Sequence, residues 1–500
     1  MPARLMPVIR LGLTAACALL CLAGCAALRR PSTDLELAAA DRDLARALAH
    51  YSQALIIEAE KGLGAPEAFE HYLLAATLDP GEHRLHAKLA TEYFRRDEPE
   101  KAIEELKKSC AANPGSVLAR LALARGYQFS GDIVQALREY HRANKMAPEL
   151  PTIYLTLAHL YFQNDNDAEA LKVLARAYEK LDSPETVRAY CYSTALRFIQ
   201  RKRPDKAIAC LKFVAERSDG DQAQLNHLIG ELYEGQKDFD QAKKHYGMAS
   251  EGDPPLPQSF VKLAMLQLHD DPAEAIRTLI RGDRQVADNL LILLALAQFY
   301  TTQERFQEAV ETFERVARIV DTEGRDTLTA GFYLQYGAVC DQAGLKEKAE
   351  SVFEGCIETY PDAHAALNYL AYMWAENGIK LDKALDYVKR ALEQEPANGA
   401  YLDTLGWIYY KQEDHANALA YIQQAREAIP DDPTITDHLG DVYEALGRRD
   451  RAIVQWKASF MLNPEDEKVA AKLSKAGIDV DVLRKEAEKQ IKASEPSEEK

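Results

Sequence analysis

The cysteines and histidines are the residues of this 500-residue chain best suited to metal binding or nucleophilic chemistry, and their spacing supports neither role. Past residue 25 the cysteines are Cys110, Cys191, Cys210, Cys340 and Cys356, whose intervals match no metal motif. Five is an odd number for a disulfide framework, and each sits where helices are expected to pack, so they read as small buried hydrophobes. The twelve histidines are scattered. His227 and His438 read as groove lining or as satisfied surface residues. There is no phosphate-cradling glycine loop, no His-Glu-x-x-His and no Gly-x-Ser-x-Gly. The expectation is a protein without catalytic residues, metal or cofactor.

Cys25 is the exception, because of what precedes it. Arg4 and Arg10 lead into Leu11–Leu22, an apolar stretch of about 12 residues, where a bilayer span needs ~20. A positive start and a short apolar run make an export signal. Its end, Leu22-Ala23-Gly24-Cys25, resembles the lipobox of bacterial lipoproteins. That resemblance implies cleavage before Cys25 and acylation of its thiol and new amine, as by palmitate. One fatty chain holds weakly and two or more hold firmly, at roughly 0.8 kcal/mol per buried methylene. Ala26, rather than Asp, follows the cysteine, which by the same resemblance implies the outer membrane. Residues 1–24 are thus expected to be a signal and 25–40 a lipidated cysteine with a short tether. Thr33 and Glu36 fit a capping box opening the first helix, leaving 26–32 to reach at most ~25 Å.

Removing residues 1–24 lowers the Lys and Arg count from 61 to 59 against 78 acidic residues, a net charge of −19. No block of basic residues occurs. That composition argues against nucleic acid, which rewards clustered cations, and against electrostatic docking on anionic lipid.

What remains is periodic. Around Gly406 stand Leu402, Leu405, Tyr409, Ala418, Ile422, Ala425 and Pro430; thirty-four residues on stand Thr436, Leu439, Gly440, Tyr443, Ala452, Trp456, Ser459 and Pro464. The frame extends back through closing residues Pro80, Pro114, Pro148, Asp182, Asp219, Pro254, Ala287, Asp321, Pro361, Pro396, Pro430 and Pro464. Intervals are 34, 34, 34, 37, 35, 33, 34, 40, 35, 34 and 34. A large residue, Leu, Gly or Ala, Tyr, then Ala, large, Ala and Pro is the pattern that the chain repeats, and it resembles the tetratricopeptide repeat. The implied fold is all-α: a superhelical solenoid of about twelve helix-turn-helix repeats over 41–464. Small residues such as Gly406 and Ala418 let two helices approach, and proline ends the second helix. The irregular places are extra residues around Gly62 and Gly64, Gln267 in place of Tyr, and a longer connection over Asp321–Thr327. Residues 465–500 are expected to form one polar capping helix, to about Ala493, and a charged tail.

In that family the first helix of each repeat lines a concave face. Its exposed positions give Arg84, Phe94, Arg95, Arg125, Phe129, His159 and Phe162 early in the chain, a basic and aromatic set. Late in the chain they give Asn368, Tyr372, Asp403, Trp407, Tyr410, Asp437, Asp441 and Glu444, an acidic and aromatic set. Neither has the paired Lys and Asn with which chaperone-binding relatives hold a C-terminal carboxylate. The expectation is a groove taking an extended basic or polar segment against Trp407 and Tyr410. The functional expectation is a lipid-anchored scaffold, facing the periplasm, that binds envelope proteins and supports assembly of an outer-membrane or periplasmic complex. The alternative is a scaffold of exopolysaccharide export whose late groove contacts sugar.

Overall fold

A computed structural model describes residues 38–494, except 219, 221 and 324–327. The expected signal, Cys25, the tether and the Thr33–Glu36 box lie outside the described residues, as does the charged tail. Among the described residues there are 26 helices and no strand. The chain divides into two compact units, Met1–Val214 and Ala215–Lys500.

In the first unit α1 (Ala39–Lys61) pairs with α2 (Pro66–Leu78), α3 (His83–Arg95) with α4 (Pro99–Ala112), α5 (Val117–Phe129) with α6 (Ile133–Met146), and α7 (Pro151–Gln163) with α8 (Asp167–Lys180). Then come α9 (Pro184–Gln200) and α10 (Pro204–Ala215). In the second unit the pairs are α11 (Gln222–Gly235) and α12 (Phe239–Ser250), α13 (Pro257–Leu268) and α14 (Pro272–Gln285), α15 (Leu290–Thr302) and α16 (Phe306–Glu323), then α17 (Ala330–Gln342) and α18 (Lys346–Thr359). They continue with α19 (His364–Asn377) and α20 (Leu381–Gln394), α21 (Gly399–Lys411) and α22 (His415–Ala428), and α23 (Pro433–Ala445) and α24 (Arg449–Leu462). The array ends with α25 (Glu467–Lys475) and α26 (Val480–Ser494).

Local chemistry sets these boundaries. Proline opens α2, α4, α7, α9, α13, α14 and α23, where its missing N–H costs nothing. Ser116, Asp132, Asn289, Asp414 and Asp432 cap the backbone N–H groups of the helices they precede. Second helices α2, α4, α6, α18, α20, α22 and α24 stop just before Pro80, Pro114, Pro148, Pro361, Pro396, Pro430 and Pro464, as the frame predicts. At Gly406 an added Cβ would lie 2.5 Å from Ile422 Cγ1 and 3.1 Å from the Ile422 backbone nitrogen. The glycine is what lets α21 and α22 touch. Each pair buries its apolar stripe against its neighbours, so in the second unit one cluster runs unbroken from Phe260 to Ile408.

Three expectations need correction. Asp321–Glu323, read as connection, are the last residues of α16, so the extra length lengthens a helix. Two helices stand where one capping helix was expected: Gly477, at φ +82°, breaks the run after Ala476. The third concerns groove residues, on both the late and the early face, below. The five cysteines are all buried, as read, and burial raises the Cys210 and Cys340 thiols to about 12 and about 11.

Candidate functional site

Two faces carry the sequence-predicted residues, and they differ in how far the protein satisfies them itself. The late face is largely closed. Asp403 and Trp407, expected to be open groove residues, are buried, at 5% and 6% exposure. The reason is a set of side chains reaching across from the first helices on either side. Trp407 on α21 donates its Nε1–H to Glu376 on α19 at 2.5 Å. Its ring stacks on His438 at 3.8 Å and on Tyr410 at 4.6 Å. His438 Nδ1 in turn lies 2.9 Å from an Asp403 carboxylate oxygen, and both groups are buried. Burial alone would lower the His438 pKa; the Asp403 carboxylate, together with Asp437 and Glu376, outweighs it and raises the value.

One step further, Lys472 on α25 donates to Asp437 at 2.7 Å and to Asp441 at 2.7 Å. Trp456 Nε1 donates to Asp441 at 2.9 Å. Burial, then the neighbouring Asp441, raises the Asp437 pKa despite Lys472. Asn368 and Tyr372 on α19 are half-buried, and Glu444 is exposed beside a cavity of about 400 Å³ that also meets Tyr410, Arg449 and Lys475. The expected partner segment over Trp407 is thus replaced by the chain's own aromatic stack.

The early face, in the first unit, is open. Four phenylalanines recur on successive first helices: Phe94 on α3, Phe129 on α5, Phe162 on α7 and Phe198 on α9. Phe94 meets Phe129 edge-on with centroids 4.8 Å apart, and Phe162 meets Phe198 at 5.5 Å. Phe129 is 72% exposed, whereas Phe162, expected in the groove, is buried. Beside the phenylalanines run cations. Arg84 and Arg125 are exposed, and Arg95 is exposed but held by Glu92 at 2.5 Å. Sequence reasoning missed the continuation onto α9, because its expected groove residues stopped at α7. There Arg197, bonded to Thr194 Oγ1 at 2.8 Å, and Arg201 join His159 and Gln163 around a cavity of about 230 Å³ between α7 and α9. Burial first, then Arg197 and Arg201, lower the His159 pKa, so its ring is neutral at pH 7. Among the described residues Arg125, Arg197 and Arg201 have no carboxylate partner within ion-pair distance. A planar fork of donors against an aromatic wall suits a carboxylate.

A tetratricopeptide-repeat family model matches residues 185–463, more than half of the chain, and a second one matches 130–185. A TPR repeat-containing protein of Pseudomonas aeruginosa is 25% identical over 224 residues, covering 44% of this chain and 36% of its own length. A kinesin light chain-related protein of Arabidopsis thaliana is 26% identical over 200 residues, 35% of this chain and 33% of its own. The chain thus spans about a third or less of the length of the curated relatives it matches. A solved tetratricopeptide repeat protein from Parabacteroides merdae superposes with a TM-score of 0.41 at 15% identity, covering 51% of this chain and 98% of that one. With the 34-residue frame, the paired helices and the family match in agreement, the chain belongs to the tetratricopeptide-repeat family.

Proposed function

We propose that this protein is a lipid-anchored envelope scaffold that receives an extended, acidic segment of a partner protein along α5, α7 and α9. Tetratricopeptide proteins bind protein partners, and their stacked first helices suit extended segments. The observation that carries the reading is Arg197 and Arg201 around the cavity between α7 and α9, with Arg125 exposed on α5, none with a carboxylate partner among the described residues of a chain of net charge −17. Side chains of such a chain had ample acidic neighbours with which to neutralise them, as Lys472 does on the late face. The phenylalanines beside them supply apolar area at low entropic cost, the usual make-up of an interface anchor. The anchoring half of the proposal rests on Leu22-Ala23-Gly24-Cys25, with Ala26 favouring the outer membrane. Its role is then to hold partners of an outer-membrane or periplasmic assembly near the membrane.

The test uses the full chain in its own cells with a photo-crosslinking residue at Gln163. Capture of one envelope protein through an Asp- or Glu-rich segment, lost in Arg197→Glu/Arg201→Glu, is the expected result. Unchanged capture in that variant, with unchanged helicity, would overturn the site. Palmitate labelling that disappears in Cys25→Ser tests the anchor separately.

A further inference from the structure

The two ends of the described array are finished differently. The last pair is covered by α25 and α26. The first helix, α1, has nothing equivalent on its outer side among the described residues. Within each unit, the later first helices pack on the second helix of the pair before them, as α3 does on α2 and α23 on α22. Among the described residues α1 has no such predecessor, yet its sequence is prepared for one.

Placed on a helical wheel, Leu44, Ala45, Leu48, Ala49, Ser52, Leu55, Ile56 and Ala59 occupy one uncharged arc of roughly 140° running for roughly 22 Å. All are exposed, with Leu48 at 58% and Ile56 at 50%. This arc lies opposite Ala47, Ala54 and Ile57, which α1 buries against its own unit. Small residues alternate with large ones, which is what close helix–helix packing requires. Beside the arc, Leu44, Leu48, Tyr51 and Leu85, together with Asp79, Glu82 and Arg84, line a groove of about 210 Å³. An apolar strip of this length on so acidic a protein marks an interface.

We infer that this face is the contact between two copies of the chain, α1 against α1 about a two-fold axis. The residue order is self-complementary: an antiparallel axis through residue 50 sets Leu44 opposite Ile56, Ala45 opposite Leu55, and Leu48 opposite Ser52 of the second copy. Each large side chain then faces a small or matching one. The contact continues the stacking that builds the repeats, with the second copy's α1 on the side where the second helix of a preceding pair would lie. A bilayer is the poorer occupant, because the arc carries neither the aromatic nor the basic residues of interfacial helices.

The experiment uses the detergent-solubilised full chain carrying Ser52→Cys, treated with a short bismaleimide, alongside light scattering. The expected product has twice the chain mass, and scattering gives two copies per particle. Leu48→Glu/Ile56→Glu added to that chain should abolish both and weaken self-association by about tenfold or more, with an unchanged circular dichroism melt, since both positions are exposed. A single-copy particle at tens of micromolar, without crosslinking, overturns the inference. So does a single-copy particle whose Leu48 and Ile56 drive binding to neutral phosphatidylcholine vesicles. A third overturning result is an intrachain crosslink from Ser52→Cys to Leu35→Cys, which would give the face to the chain's own preceding segment.

Discussion

Lys472 reaches back to Asp437 across 35 residues, the same separation by which His438 reaches Asp403. The two contacts are successive rungs of one ladder. In each, a carboxylate three residues before the small residue of one first helix meets a cation or imidazole from the next. α25 therefore occupies the register of a thirteenth first helix, although it is only nine residues long.

Removing the last rung should loosen the end of the array. Lys472→Met leaves Asp437 and Asp441 half-buried with one remaining donor, Trp456, and is expected to cost about 1–3 kcal/mol. All three tryptophans, Trp374, Trp407 and Trp456, lie in the last three repeats, so urea unfolding followed by their fluorescence reads this region selectively. An unchanged midpoint would show that the rung contributes nothing.

The preceding rung should make the same region pH-sensitive. The folded pKa of His438 is raised above its unfolded value of about 6.5, so its contribution is complete below that value and is lost as pH rises through the folded pKa. The fluorescence midpoint is expected to fall as pH increases from about 6.5 upward. His438→Gln should flatten that slope. The raised Asp437 pKa has the same sign: its contribution is complete below the ordinary aspartate value and is lost as pH rises through the folded pKa.

Gly406→Ala is expected to destabilise by about 1–3 kcal/mol, because the new methyl meets Ile422 and its backbone nitrogen, which cannot step aside without moving α22. Thermal unfolding followed by fluorescence checks it. Gly115→Ala, with nothing within 4 Å of the added carbon, is the neutral comparison.

Several tight turns inside repeats use a left-handed residue that is not glycine. Lys237 at φ +63° and Glu413 at φ +61° are exposed and without an ion pair among the described residues. Lys237→Gly and Glu413→Gly should each stabilise by roughly 0.5–1 kcal/mol, since glycine lacks the Cβ conflict of that conformation. A rise in melting temperature, additive in the double variant, is the result to look for.

The repeat frame was legible because its determinants are local: Gly406 and Gly440 must be small, and Pro430 and Pro464 must end helices, whatever lies around them. Exposure was not legible in the same way. Asp403 and Trp407 stand at positions that a lone repeat leaves open, and only the residues supplied 31 to 35 places on, Glu376 aside, close them. His438 and Lys472 gave no warning, since a histidine and a lysine on polar helix faces look solvated until the next helix is placed. The same limit hid Arg197 and Arg201, whose α9 lies in the 37-residue interval where the frame slips.

The register shared by His438 and Lys472 also bears on how such a chain changes length. Because Lys472 meets Asp437 in the register in which His438 meets Asp403, duplicating residues 431–464 in tandem would present Lys472 with another copy of Asp437 and Asp441, and present the old Asp437 with another His438. Growth by one unit at this end would keep the register of these carboxylate contacts. Unequal recombination could lengthen or shorten the array there in a single step, leaving the terminal pair of helices unaltered.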